Sequence, residues 1–138
     1  MAHVRRKARI AALQALFESD SSGHDPFRAL EWIAAERSLP DEALSYARDL
    51  INGVIKNRDR LDSTIEAYAP SWPVNQLSPV DRNILRLAIY EILMENKVPL
   101  KAAINEAVEL AKIFGSNNSS RFINGVLGSI GQIQVNSR

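Results

Sequence analysis

Apolar residues recur at helical spacing through nearly the whole chain, and prolines stand where those runs begin, so the sequence is confined to a series of short helices. Between Val4 and Ser19 the stripe is Ile10, Leu13, Leu16 and Phe17. Asp25-Pro26 reads as an N-cap followed by a first-turn proline, which predicts a helix through about Arg37. Pro40-Asp41 begins another, with Leu44, Ala47, Leu50, Ile51, Val54 and Ile55 on one face. Near Arg58 it bends into a continuation carrying Leu61, Ile65 and Tyr68. Pro70 and Pro73 bracket Trp72 in the main break. The boundary between an N-terminal helical subdomain, about 1–70, and a C-terminal one, about 76–131, is placed there.

Ser78-Pro79 repeats the capping signature and starts the most hydrophobic helix, which runs to about Glu95. Its apolar residues cover well over half the circumference, so it must be packed on more than one side. Glu91 falls inside that apolar arc, and a carboxylate there must be paired or protonated. Pro99 opens the next helix, which ends near Phe114 with Gly115 as C-cap. Ala103, Ala107 and Ala111 form a ridge of small side chains that permits a close helix crossing. Ser119 or Ser120 caps a last helix whose face is Phe122, Ile123, Val126, Leu127 and Ile130. Asn124-Gly125 suggests a hairpin turn, but it interrupts a sound helical stripe, and the periodicity is given precedence. The tail after Gly131 is expected to be loose. The expected class is all-α, with about seven helices in two small bundles within one domain of 138 residues.

Enzyme chemistry finds no support in these residues. With no cysteine, disulfides, thiolate zinc sites and cysteine nucleophiles are excluded. The two histidines, His3 and His24, lie in polar terminal or loop settings without ligand spacing. No Walker loop, dinucleotide glycine motif or nucleophile elbow occurs. The carboxylates Glu106 and Glu109 sit at ordinary helical spacing on a solvated face. No cofactor and no metal are expected. No apolar run nears the roughly 20 residues needed to span a bilayer, and the N-terminus lacks a secretory pattern. A soluble, cytoplasmic, non-enzymatic protein is the expectation.

Charge is uneven although the net charge is only +1. Arg5, Arg6, Lys7 and Arg9 stand together; of the 17 basic residues that leaves 13 against 16 acidic ones elsewhere. A compact positive end on a mildly acidic body is the footprint of a polyanion binder. Arg5 and Arg9 align at i, i+4, while Arg6 and Lys7 spread the charge round the helix. Guanidinium groups suit phosphate because the planar fork binds bidentately and stacks on bases. A second polar cluster, with Asn117, Asn118, Ser120 and Arg121 ahead of Phe122, points amides and hydroxyls at a helix N-terminus. Ordinary capping explains that cluster equally well. Tyr68 and Trp72 offer stacking surfaces for unpaired bases, though lone aromatics are more often core residues.

Taken in order, several segments resemble the NusB family across nearly the whole chain. They are Arg5-Arg6-Lys7-Ala8-Arg9 with Ala15-Leu16-Phe17, and Arg48-Asp49-Leu50-Ile51-Asn52-Gly53-Val54. The run from Asp81 to Glu91 follows, then Val98-Pro99, Ala103 to Lys112, Phe114-Gly115 and Phe122-Ile123-Asn124-Gly125-Val126-Leu127. The resemblance implies two small helical bundles, binding to the single-stranded boxA element of nascent ribosomal RNA leaders, and a heterodimer with NusE, a ribosomal small-subunit protein. It further implies membership of an antitermination complex on RNA polymerase. It assigns RNA contact to Arg5, Arg6, Lys7 and Arg9 and to the loop from Asn117 to Phe122. The NusE surface it implies includes Asp81, Arg82 and Arg86. Some relatives form homodimers, so that state stays open.

Two positions depart from the family pattern. Ile10 stands where relatives often carry a charge, so the first helix is expected to seat slightly differently. Asn117-Asn118 replace residues that are acidic in many relatives, which favours an anionic ligand if the loop faces it. Rival readings are a detached form of the NusB-like domain that occurs fused to ribosomal RNA cytosine methyltransferases, a pure protein adaptor, and a duplex-DNA-binding helix-turn-helix protein. The last lacks a recognition helix of exposed Arg, Asn and Gln.

Overall fold

The structure, a computed structural model, describes the backbone of residues 2–136 and the side chains of residues 3–132. Seven α-helices and no strand occur among the described residues. They form two compact units, Met1–Lys56 and Asn57–Arg138.

The first unit holds α1 (Ala2–Ser22), α2 (Pro26–Arg37) and α3 (Asp41–Lys56). Helix α1 packs against both others. It can do so because Ala8, Ala11, Ala12 and Ala15 are buried alongside Leu13 and Leu16, and small side chains let neighbouring helices approach. Its end is set by Gly23 at φ 75°, whose N–H returns to the Ser19 carbonyl at 2.9 Å. Asp25 caps α2 as predicted, accepting the Phe27 N–H at 2.9 Å. Ser38, at φ 51°, closes it in the left-handed region that glycine usually fills, and no glycine signals that turn in the sequence. Helix α3 buries Ala43, Ala47, Leu50, Ile51, Gly53 and Val54. Ile55, read from the sequence as part of that face, is 43% exposed in the last turn.

The second unit contains α4 (Arg58–Tyr68), a 3-10 turn (Val74–Gln76), α5 (Pro79–Ile89), a π-helical turn (Tyr90–Glu95), α6 (Leu100–Phe114) and α7 (Ser119–Asn136). Helix α5 packs against α4, α6 and α7. Every residue from Asn83 to Ile89 is buried, the all-round burial that its hydrophobic circumference predicted. Burying each Leu or Ile contributes roughly 1.5–3 kcal/mol, so α5 anchors the unit. Ala103, Ala107 and Ala111 are buried on α6, which packs against α5 and α7.

Three features differ from the sequence reading. The units divide between Lys56 and Asn57, ahead of the proline break, because α4 buries Leu61 and Ile65 and packs with α5 and α7. Prolines mark a change of chain direction, whereas the division follows packing. The greasy helix expected to reach Glu95 leaves regular geometry after Ile89, and the Asn96 N–H bonds the Glu91 carbonyl five residues back at 2.9 Å. Glu91 lies in this widened turn, 2% exposed and not without a partner. Finally, α7 runs unbroken through Asn124-Gly125, as the stripe predicted, but also continues past Gly131 to Asn136, where a loose tail was expected. Nothing between Gln132 and Asn136 breaks a helix.

Candidate functional site

The basic start of α1 is not one surface. Arg5 and Arg9 share a helix face, and both guanidinium groups lie over the ring of Tyr46 on α3, at 5.7 and 5.9 Å from its centroid. Such cation–π contacts contribute about 0.5–2 kcal/mol each. Arg9 is only 5% exposed, so it belongs to the packing of the first unit. Arg5 is half-buried, while Arg6 and Lys7 are exposed. The cations presented to solution are therefore Arg6 and Lys7, with Arg5 steadied beside them. Tyr46 was missed by the sequence reading; its one signal is an aromatic residue next to buried Ala47, off the main apolar stripe of α3.

The joint between α6 and α7 is built around Gly115 and Ser119. Ser119 is buried, and its Oγ accepts the Ser116 N–H at 2.9 Å. A Cβ on Gly115 would meet Ser119 Cβ and Oγ at 2.5 Å and the Ala111 carbonyl at 2.7 Å. Gly115 caps α6 as expected; its backbone there is extended, so the glycine is required by space and not by a left-handed conformation. Asn117, Asn118 and Arg121 are exposed, and Ser120 and Phe122 are half-buried. The Asn118 carbonyl accepts the Phe122 N–H at 3.1 Å, opening α7. Tyr68 is half-buried at the end of α4, and Trp72 is 54% exposed.

The residues expected at a protein partner have different placements. Arg86 is 4% exposed, and its guanidinium grips Asp62 of α4 through Nε at 2.7 Å and Nη2 at 3.0 Å. Nη1 also donates to Asn83 Oδ1 at 3.2 Å, and Asn83 in turn donates to the Pro79 carbonyl at 2.7 Å. Arg86 thus ties α5 to α4 from inside, which leaves it no face for a partner. Arg82 donates to the Leu77 and Asn75 carbonyls at 3.2 and 3.4 Å, holding the 3-10 turn against α5. The Asp81 N–H completes the Ser78 cap at 3.1 Å, while its Oδ1 is shut away from solvent without a hydrogen bond. Asp62 was also missed; an arginine between Leu85 and Leu87 in an otherwise apolar helix was the signal that a carboxylate had to face it.

The sequence pattern of the NusB family matches residues 6–132. The chain belongs to the NusB family. It is 54% identical over 126 residues to the transcription antitermination protein NusB of Dehalococcoides mccartyi strain CBDB1, covering 91% of this chain and 88% of that one. The fold is similar to that of T. maritima NusB, with a TM-score of 0.85 at 40% identity over 93% of this chain and 90% of that one. It is also similar to a chain in a crystal structure of antitermination factors NusB and NusE in complex with dsRNA, with a TM-score of 0.87 at 26% identity, covering 96% and 99%. The NusB match spans both compact units, so neither is an addition to the family's architecture.

Proposed function

We propose that this chain is an RNA-binding transcription antitermination factor. In this reading it takes the boxA element of nascent ribosomal RNA leaders as a single strand, together with NusE. It then helps assemble an antitermination complex on RNA polymerase, working in the cytoplasm and without catalysis. The observation that carries the reading is the exposed pair Arg6 and Lys7, with Arg5 held over Tyr46 beside them, on a chain similar to NusB proteins over nine-tenths of its length. Support for the partners comes from the relative that is crystallised with NusE and RNA.

The physical basis is counterion release. Each phosphate neutralised on a single strand steepens the salt dependence by about 0.7 in the log–log slope. Two exposed cations with a half-buried third beside them give limited affinity at physiological salt, which is why a second protein sharing the RNA fits the arrangement. Asn117, Asn118, Ser120, Arg121 and Phe122, with Tyr68, are the further contacts proposed, through amide and hydroxyl bonding and base stacking. Asp81 and Arg82 remain the residues proposed for the NusE side.

The test is titration of labelled boxA RNA and a scrambled control, with and without NusE, at two salt concentrations. Preference for boxA, strengthened by NusE and lost in an Arg6→Glu, Lys7→Glu variant, is expected. Equal, weak and salt-erased binding to both RNAs would sink the reading and favour a pure protein adaptor.

A further inference from the structure

The far end of α1 carries a feature outside the residues proposed for RNA. A groove of ≈ 570 Å³ opens between Glu18 on α1 and the outer face of α2, over an alanine floor. Trp32 stands at its edge 73% exposed, and among the described residues no cation lies over its indole. Three carboxylates, Glu18, Asp25 and Glu31, line the groove against one guanidinium, Arg28. Glu18 is joined to His24 at 3.1 Å, and Asp25 accepts the Phe27 N–H at 2.9 Å, both at the surface.

We propose that this groove docks an arginine-bearing segment of a protein partner. An exposed indole in a groove where carboxylates outnumber the one guanidinium is complementary to an incoming arginine, which stacks on an aromatic face while its fork bonds carboxylate oxygens. Tryptophan is also among the residue types enriched in binding hot spots. A metal ion does not fit, because no group of three or more potential ligands is arranged to hold one among the described residues. A nucleic acid is repelled by the same carboxylates. The volume exceeds one side chain, which suits a peptide segment rather than a free amino acid. Helix α1 is then bipolar, with cations at its start for RNA and an acidic, aromatic groove at its end for a basic protein.

The chain has two tryptophans, so Trp72→Phe leaves Trp32 as the sole indole reporter. The 138-residue protein of this background is titrated with a capped nonapeptide alternating arginine and glycine, and with its lysine and glutamate counterparts. A saturable change in emission with the arginine peptide is expected. Binding at least about fivefold weaker is expected for the lysine peptide and for Glu31→Gln, and none for the glutamate peptide. The labelled arginine peptide, followed by anisotropy, should also bind Trp32→Ala at least about fivefold more weakly. Equal affinity for arginine and lysine peptides, undiminished binding to Trp32→Ala, or no saturation would each overturn the proposal.

Discussion

The start of α1 and the middle of α5 both carry arginines on a helix, yet the fold uses them in opposite ways. On α1, one side is closed by α3, so Arg5 and Arg9 rest over Tyr46 while Arg6 and Lys7 are exposed. On α5 three helices close round the chain, and Arg86 can persist there only because Asp62 meets it with two oxygens. The lesson is that an arginine's role is set by how many elements surround its helix. Residue type and spacing do not reveal that number.

The sharpest way to break the contrast is Asp62→Ala. Removing the carboxylate takes away the anion that faces a buried guanidinium and should destabilise the second unit by about 3 kcal/mol, read by thermal or urea unfolding. Asp62→Leu combined with Arg86→Met should recover most of that loss, since a well-packed apolar pair often matches a buried ion pair. A single-variant loss near zero would mean that Arg86 finds water and resembles Arg6 after all.

Next in size is Gly115→Ala, expected to cost about 2 kcal/mol because the new methyl meets Ser119 Cβ and backbone oxygen, which cannot swing aside. Stability unchanged in urea would show that the α6–α7 joint shifts freely. On the α1 side, Arg6→Glu with Lys7→Glu should weaken boxA RNA at least about tenfold and flatten the salt slope by about 1.4. The unfolding midpoint should barely move, as for other surface changes. If stability fell instead, the two cations would belong with Arg9 in the packing. Smallest is Asn118→Asp, where a carboxylate beside an anionic ligand should weaken RNA binding about two- to threefold. The same change sits just before α7, at its N-terminal end, where negative charge favours the helix, so stability should hold or rise slightly. Affinity unchanged at low salt would remove the loop from the RNA contacts.

Much of the fold was legible because helix starts and apolar stripes are local signals. Asp25-Pro26 and Ser78-Pro79 announced α2 and α5, and the stripe through Phe122, Ile123, Val126 and Leu127 outweighed the turn signal of Asn124-Gly125. The candidate site was legible as a composition of cations, not as a surface. Arg9 and Arg86 have apolar chain neighbours that Arg6 lacks, but the side chains they pack against, Tyr46 and Asp62, lie far along the chain and no local pattern names them.

The amino-acid sequence by itself determined the helices, their capped starts, the central burial of α5 and the family pattern, since each rests on residues within a few turns of one another. Only the tertiary structure decided where the two units divide, why Gly115 must lack a side chain, that a widened turn follows Ile89, and which cations meet water. Those outcomes depend on what packs against each helix, and packing joins residues far apart in the chain through space that no local pattern encodes.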